Sequence, residues 1–212
     1  MTTTDPTIRF WNRIAPGYAK QPIKNESAYQ EKLAITREYC TPTTRLLELG
    51  CGTGKTAVTL APQVESVLAT DFSPEMLSLG EQYAGEQNVS NVTFSNIDAA
   101  DIEIEKQFNI ILAHSLTHLL EDPDEFLTTV RDLLADDGVF LTNTVCLSEV
   151  AWFLKPIATL GRVLGLLPRL TFFSHDEYEK KLEKAGFTIE RCYRPAKGTS
   201  FFVARPNKSL DR

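Results

Sequence analysis

The sequence predicts an α/β protein built on a doubly wound parallel sheet. Three observations carry this. Short apolar runs alternate with helix-like segments through the first two thirds of the 212 residues. One run, Leu46–Leu49, breaks at once into alternating glycines, Gly50-Cys51-Gly52-Thr53-Gly54, and a helix-like stretch from Lys55 to Ala61 follows. An acid, Asp71, closes the next apolar run, about 20 residues past the glycine turn, the spacing of a ribose-binding acid in nucleotide-binding α/β folds. Strand, glycine turn and helix form a nucleotide site because Gly50 and Gly52 let the backbone turn sharply and approach a ligand. A helix starting near Gly54 is expected to aim free N–H groups into the same crevice.

The remaining elements follow from periodicity and punctuation. Ile8, Trp11 and Ile14/Ala15 have helical spacing, and Pro16-Gly17 is expected to stop that helix. Glu26 to Tyr39 forms a second amphipathic helix, ended by Pro42. Ser66 to Thr70 is the second strand, and Ser73-Pro74-Glu75 opens a helix that runs through Met76 to Ala84. Val92 to Ile97 is the third strand, ending at Asp98-Ala99, and Phe108 to Ala113 is the fourth. Asp122 to Leu134 is helical, Asp136-Asp137-Gly138 is a turn, and Val139 to Thr144 is the fifth strand. Residues 147–173 hold many large apolar groups broken by Pro156, Gly161, Gly165 and Pro168, too interrupted to span a bilayer. Ser174-His175-Asp176-Glu177 is a capping box, Gly186 ends its helix, and Phe187–Tyr193 with Phe201–Ala204 form a hairpin at the sheet edge.

The length suits one domain, residues 1–212, with a sizeable core. Met1 to Pro6 is polar, with no signal-peptide character. The four cysteines form no C-x-x-C pair, so neither metal nor disulfides are expected, and a reducing cytoplasm is the default location. Residues 1–150 carry 10 Lys/Arg against 22 Asp/Glu, whereas 151–212 carry 12 against 6. The acidic part suits a cationic cofactor and argues against nucleic acid as a partner; ordinary surface charge accounts for it equally well.

The glycine spacing narrows the class. The dinucleotide fingerprint is G-x-G-x-x-G, and a P-loop would need glycine where Leu49 stands. Here G-x-G-x-G follows Glu48, a pattern that resembles motif I of the class I S-adenosylmethionine (SAM) dependent methyltransferases. Phe10-Trp11-Asn12-Arg13-Ile14-Ala15-Pro16-Gly17-Tyr18 is similar to the N-terminal segment of the ubiquinone and menaquinone biosynthetic methyltransferases. The stretch from Phe108 through His118-Leu119-Leu120 resembles the segment after their fourth strand, with Asn109 in place of the usual Asp. Leu182-x-x-Ala185-Gly186-Phe187 and Phe202-Val203-Ala204 resemble their C-terminus.

The resemblance implies a Rossmann-like seven-stranded sheet, mostly parallel with an antiparallel C-terminal hairpin. It also implies an N-terminal helical cover over residues 1–40 and a helical lid over 147–173. SAM is the implied cofactor. Its contacts would be Tyr18, Glu48, Gly50, Cys51, Gly52 and Gly54; then Asp71, Phe72 and Met76; then Asp98 and Ala99 at the adenine, and Ala113 and His114 near the sulfonium. Asp71 accepts from both ribose hydroxyls on this reading, or serves only the helix cap after it. His114 and Tyr18 are the candidates for chemistry, while His118 reads as a packed core residue.

Trp11, Trp152, Phe153, Phe172 and Phe173 are the expected acceptor contacts, with core padding as the alternative for 147–173. The expected activity is methyl transfer to a small, largely apolar acceptor: quinone-, phenol-, thiol- or lipid-like. Lys155, Arg162 and Arg169 recur every seven residues, so contact with an anionic membrane surface is a further option. Other readings are a SAM-binding protein without catalysis and, less favoured, an NAD-dependent oxidoreductase. A monomer or homodimer is expected.

Overall fold

A computed structural model describes residues 6–104, 107–154 and 170–207. Its elements run α1 (Pro6–Ala19), α2 (Glu26–Arg37), β1 (Arg45–Leu49), α3 (Lys55–Leu60), β2 (Ser66–Asp71), α4 (Pro74–Glu86), β3 (Val92–Asn96) and β4 (Phe108–His114). They continue with α5 (Pro123–Leu133), β5 (Leu134–Val145), α6 (Leu147–Val150), α7 (His175–Lys184), β6 (Phe187–Tyr193) and β7 (Thr199–Pro206). The strands form one seven-stranded sheet in the order β3-β2-β1-β4-β5-β7-β6. The first five pair in parallel; β7 runs antiparallel to both β5 and β6. The expected mostly parallel sheet with an antiparallel terminal pair is therefore what the chain builds. Strand order reverses between β1 and β4, which places the switch-point crevice at their C-terminal ends.

Alternation along the strands sends successive side chains to opposite faces. Leu47, Leu49, Ile111, Ala113, Phe140 and Phe202 face α5 and α7, meeting Phe126, Leu127, Val130, Tyr178 and Leu182. Leu46, Ile110, Leu112, Leu141, Phe201 and Val203 face α2, α3 and α4, meeting Leu33, Ala57, Leu60 and Leu77. On the first face Tyr178 is fully buried, its hydroxyl bonded to Thr117 (3.1 Å) and Thr142 (2.9 Å).

Two local expectations are corrected. Pro16-Gly17 does not stop α1: the helix continues through Pro16 to Ala19. Pro16 removes one hydrogen bond, but the buried anchors Ile8 and Ala15 lie N-terminal to it and hold the helix down. Asp136-Asp137-Gly138 is not a free turn either. Strand β5 begins directly at the end of α5, and its pairing with β4 slips between Phe108 and Ile110, so these residues sit in a bulge. A Cβ on Gly138 would lie 2.9 Å from the Ala135 carbonyl oxygen and 3.1 Å from that of Phe108, so the close approach needs glycine.

The capping box is as expected: Ser174 Oγ accepts from Glu177 N (3.2 Å) and Glu177 returns to Ser174 N (2.7 Å). Asn109 does the work of an acid at its position, accepting from Arg45 N at 2.9 Å and fixing the start of β1. Lys155, Arg162 and Arg169, with the surrounding part of the expected lid, lie outside the described residues. Among the described residues no helix is long and apolar enough to cross a membrane.

Candidate functional site

The turn after β1 is built from three glycines at left-handed φ: Gly50 at 65°, Gly52 at 55° and Gly54 at 68°. Their surroundings differ. A Cβ on Gly50 would strike Leu116, and one on Gly54 would lie 2.6 Å from the Phe94 ring. A Cβ on Gly52 would meet nothing within 4 Å. Gly50 and Gly54 are thus needed for packing, whereas Gly52 opens onto free space.

Three N–H groups of the turn itself are bonded within the chain. Cys51 N donates to Thr70 O (2.9 Å), Gly52 N to Asp71 Oδ2 (2.9 Å) and Gly54 N to Cys51 O (3.0 Å). The helix that follows, α3, is only six residues long. The turn thus acts as a scaffold that orients a side chain. Asp71 is its main beneficiary: buried, with Oδ1 accepting from Ser73 N (2.9 Å) and Oδ2 from Gly52 N. Each carboxylate oxygen keeps a lone pair for a further donor. Burial raises the Asp71 pKa, the two N–H donors oppose that, and the nearby Asp98 charge adds to it.

The turn borders a cleft of about 630 Å³. Tyr18 and residues 21–25 wall one side, with Ala28, Tyr29 and Lys32 of α2. Glu48, Gly50, Cys51, Gly52, His114 and Asn143 line it from the sheet, and Val145, Pro195, Ala196 and Thr199 close the far end. Glu48, His114 and Asn143 share one sheet face by strand alternation, the face covered by α2 and α3, and His114 is paired in register with Asn143.

The polar floor is unusual. Glu48 is buried and its Oε2 has no partner among the described residues. Its pKa is pushed up to about 8, chiefly by burial, with Asp71 adding to the rise and Ala57 N, Thr56 and Lys32 opposing it. His114 Nδ1 is likewise buried and unpartnered; burial, then the Lys32 charge, push its pKa down to about 3, so the ring is neutral. Lys32 Nζ donates to Asn143 Oδ1 at 3.2 Å, and burial lowers its pKa while Glu48 raises it. Asn143 Oδ1 also accepts from Ser115 Oγ at 3.3 Å. Ser115 sits at the end of β4 with φ of 57°, a strained conformation for a non-glycine residue, held by Ser115 N donating to Asn143 O at 2.7 Å.

Of the residues expected at the site, Tyr18, Glu48, Gly50, Cys51, Gly52 and His114 line the cleft together. Tyr18 is 48% exposed, with Trp11 edge-on at 6.5 Å; burial of the phenol and then Asp71 raise its pKa. Asp71 and Asp98 lie near each other beyond the glycine turn, Asp98 Oδ1 accepting from Ala100 N. Phe72 is half-buried. Gly54, Met76, Ala99 and Ala113 are packed inside, Met76 at 2% and Ala113 at 0% exposure.

The aromatic residues expected at the acceptor are not gathered in the cleft. Phe173 is a core residue, 1% exposed and stacked on Tyr178 at 5.1 Å. Phe172 is half-buried beside it, while Trp152 and Phe153 are 70% and 58% exposed. His118 is also packed, its Nδ1 3.3 Å from Thr144 Oγ1 and its pKa pushed down to about 4 by burial. Sequence reasoning missed Lys32, Ser115 and Asn143.

Comparison with known proteins agrees with this architecture. A ubiquinone biosynthesis O-methyltransferase from Rickettsia bellii is 25% identical over 150 residues, covering 68% of this chain and 62% of its own. A tRNA 5-carboxymethoxyuridine methyltransferase from Escherichia coli is 28% identical over 138 residues, covering 64% and 53%. The chain spans 44% to 62% of the length of the first such relatives. Among solved structures, the DhpI–SAH complex shares the fold with a TM-score of 0.74 over 96% of both chains, at 22% identity. Residues 41–191, from before the glycine turn to within β6, match the family described as "Methyltransferase domain". With the glycine turn and the five parallel strands β1 to β5 all inside that span, the chain belongs to the methyltransferase domain family.

Proposed function

We propose that this protein is a SAM-dependent methyltransferase acting on a small, largely apolar acceptor. The observation that carries the reading is how the glycine turn uses its N–H groups. A dinucleotide needs them for its pyrophosphate. Here three of them are spent inside the chain, one on orienting Asp71. SAM has no phosphate, and its ribose, ammonium and sulfonium call for the acceptors that this site offers.

The residues present fit that cofactor. Gly52 leaves open space for it to lie against the backbone. Asp71 keeps lone pairs for two ribose hydroxyls, and Asp98 stands near for the adenine. The orphaned Glu48 Oε2 is the acceptor for the ammonium of the methionyl part. When bound, the cofactor supplies a methyl group already activated on a sulfonium. The chain's own part is then alignment and exclusion of water. Tyr18 and residues 21–25 wall the cleft from solvent, and His114, held neutral, offers a hydrogen bond without adding a cation beside the sulfonium.

The cleft's volume is within the roughly 300–1,000 Å³ of small-molecule sites. Its far end is walled by Val145, Pro195 and Ala196, which supports an acceptor with an apolar body. The relatives' acceptors range from a quinone precursor pathway to a tRNA nucleoside, so the choice of a small acceptor rests on the cleft alone. Exposed Trp152 and Phe153, edge-to-face at 6.2 Å, leave the membrane-surface option for residues 147–173 attached to the proposal.

Calorimetry tests the cofactor reading. S-adenosylhomocysteine (SAH), the demethylated product, is expected to bind saturably and NAD not at all. NAD binding without SAH binding refutes it. Turnover of labelled SAM with a panel of phenols, thiols and acids separates an enzyme from a SAM-binding protein without catalysis.

A further inference from the structure

The cofactor reading leaves the partly buried cation Lys32 without a task. We propose that Lys32, oriented by Asn143, recognises a carboxylate on the methyl acceptor. This rests on the SAM reading above and goes beyond it to the acceptor's chemistry.

Among the described residues, four charged ones line the cleft: Lys24, Lys32, Lys55 and Glu48. The chain is acidic overall, with a net charge of −6, yet this lining is basic. Lys55 Nζ is engaged by the Ala19 carbonyl at 3.4 Å, tying α3 to the end of α1. Lys32 has one described hydrogen bond, to Asn143, and an ammonium has three donors. Glu48, whose charge acts on Lys32, makes no described hydrogen bond to it and on the reading above is taken by the cofactor's ammonium, and His114 is neutral. A partly desolvated cation without a fixed counter-ion is costly, and a ligand carboxylate offsets that cost.

The bond to Asn143 holds this cation toward β5, on the side of the cleft left for the acceptor. Asp71 ends β2, and Asn143 lies near the end of β5, three strands across the sheet. At about 4.8 Å per strand that is roughly 14 Å. A cofactor with its ribose at Asp71 and its ammonium at Glu48 on β1 holds its sulfonium between the two, and its own carboxylate stays on the carbon that bears the ammonium at β1. The Lys32–Asn143 pair lies past it, next to the apolar wall of Val145 and Pro195. The acceptor read from this arrangement has an apolar body and an acidic head. Asn143 is a positioning residue: its Oδ1 takes Lys32 and Ser115, and its Nδ2 donates to the Ser200 carbonyl at 3.4 Å.

The test is calorimetric, on protein saturated with SAH. Benzoate and octanoate are titrated against benzamide and octanamide, neutral partners of the same shape. The carboxylates are expected to bind at least about tenfold tighter than the amides. Lys32→Met should erase that preference and leave SAH affinity within about twofold, while Lys32→Arg should retain part of it. Equal binding of acid and amide, no binding of the carboxylates, or a preference that survives in Lys32→Met and in a second variant, Lys32→Gln, overturns the proposal. So does a loss of SAH affinity in these variants, which would put the lysine on the cofactor's own carboxylate. Failure of SAH to bind the unmodified protein sinks the cofactor reading first, so the two failures are distinguishable.

Discussion

Glu48 is a proton reservoir, and SAH binding should empty it. Its pKa of about 8 leaves roughly nine tenths of the molecules protonated at pH 7. An ammonium placed against Oε2 favours the carboxylate and returns the pKa to the ordinary range or lower. Binding at pH 7 should then release about 0.9 proton, and affinity should rise by about tenfold per pH unit up to pH 8. Calorimetry in phosphate and in Tris, whose ionisation enthalpies differ, counts the protons directly. Glu48→Gln keeps the shape and should release none.

The unbound protein gives a second readout. Because the folded pKa is raised above the unfolded value of 4.5, the protonated carboxyl's contribution is fully present below pH 4.5. It is lost as pH rises through about 8, where the shift corresponds to at most about 5 kcal/mol. Glu48→Gln should therefore melt higher than the natural protein at pH 8 and much closer to it at pH 4.5. No proton release at pH 7, or the same release from the Gln variant, refutes the assignment.

The glycine turn separates packing from binding. Ala at Gly52 or Gly54 pays about 1–2 kcal/mol for left-handed φ, and Gly54→Ala adds about 1–3 kcal/mol for the Cβ against Phe94. Gly54→Ala should lower the melting temperature more, while Gly52→Ala should lower SAH affinity at least about tenfold; equal melting losses with unchanged SAH binding contradict this. Asp71→Ala removes the acceptor of two backbone N–H groups, so it should cost about 1–3 kcal/mol of stability for each, besides weakening SAH. Denaturant titration that finds no stability loss would show that water replaces those bonds. Phe173→Ala should cost about 3–5 kcal/mol as a core truncation, and Trp152→Ala should stay within about 0.5 kcal/mol. Reversed values would return Phe173 to the lid.

Much of the fold was legible because its signals are local. Leu46–Leu49 followed by G-x-G-x-G, the Ser174 capping box and the Phe187–Tyr193 run each declare themselves within a few residues. The misreadings come from context that lies far off in sequence. Pro16 reads as a stop, but α1 packs on α4, and Ser73 Oγ donates to Asn12 Oδ1 at 2.6 Å, so tertiary anchoring carries the helix through. The bulge at Gly138 depends on the Phe108 carbonyl 30 positions away. Phe173 reads as an acceptor contact because it belongs to an apolar cluster, and only Tyr178 beneath it makes it core.

The site was half legible for a related reason. The proposed cofactor half lies on one turn and one strand end, whereas the Lys32–Asn143 contact joins residues 111 positions apart, and no window of sequence contains both. Charge shows the same divide. The acidic excess of residues 1–150 suggests a site for a cation, yet Glu48 is the one acid among the four charged residues lining the cleft, and burial keeps it mostly neutral at pH 7. Composition sums over a surface that water screens, while a ligand meets only the groups that the fold removes from water. For this chain those groups are a protonatable carboxyl, a neutral imidazole and a lysine. Their order across the strands, Glu48 on β1, His114 on β4 and Asn143 with its lysine on β5, is the ground for the proposed places of the cofactor's ammonium and the acceptor's acid. The acceptor's acid group is therefore best sought at β5, on the side of the sheet away from Asp71.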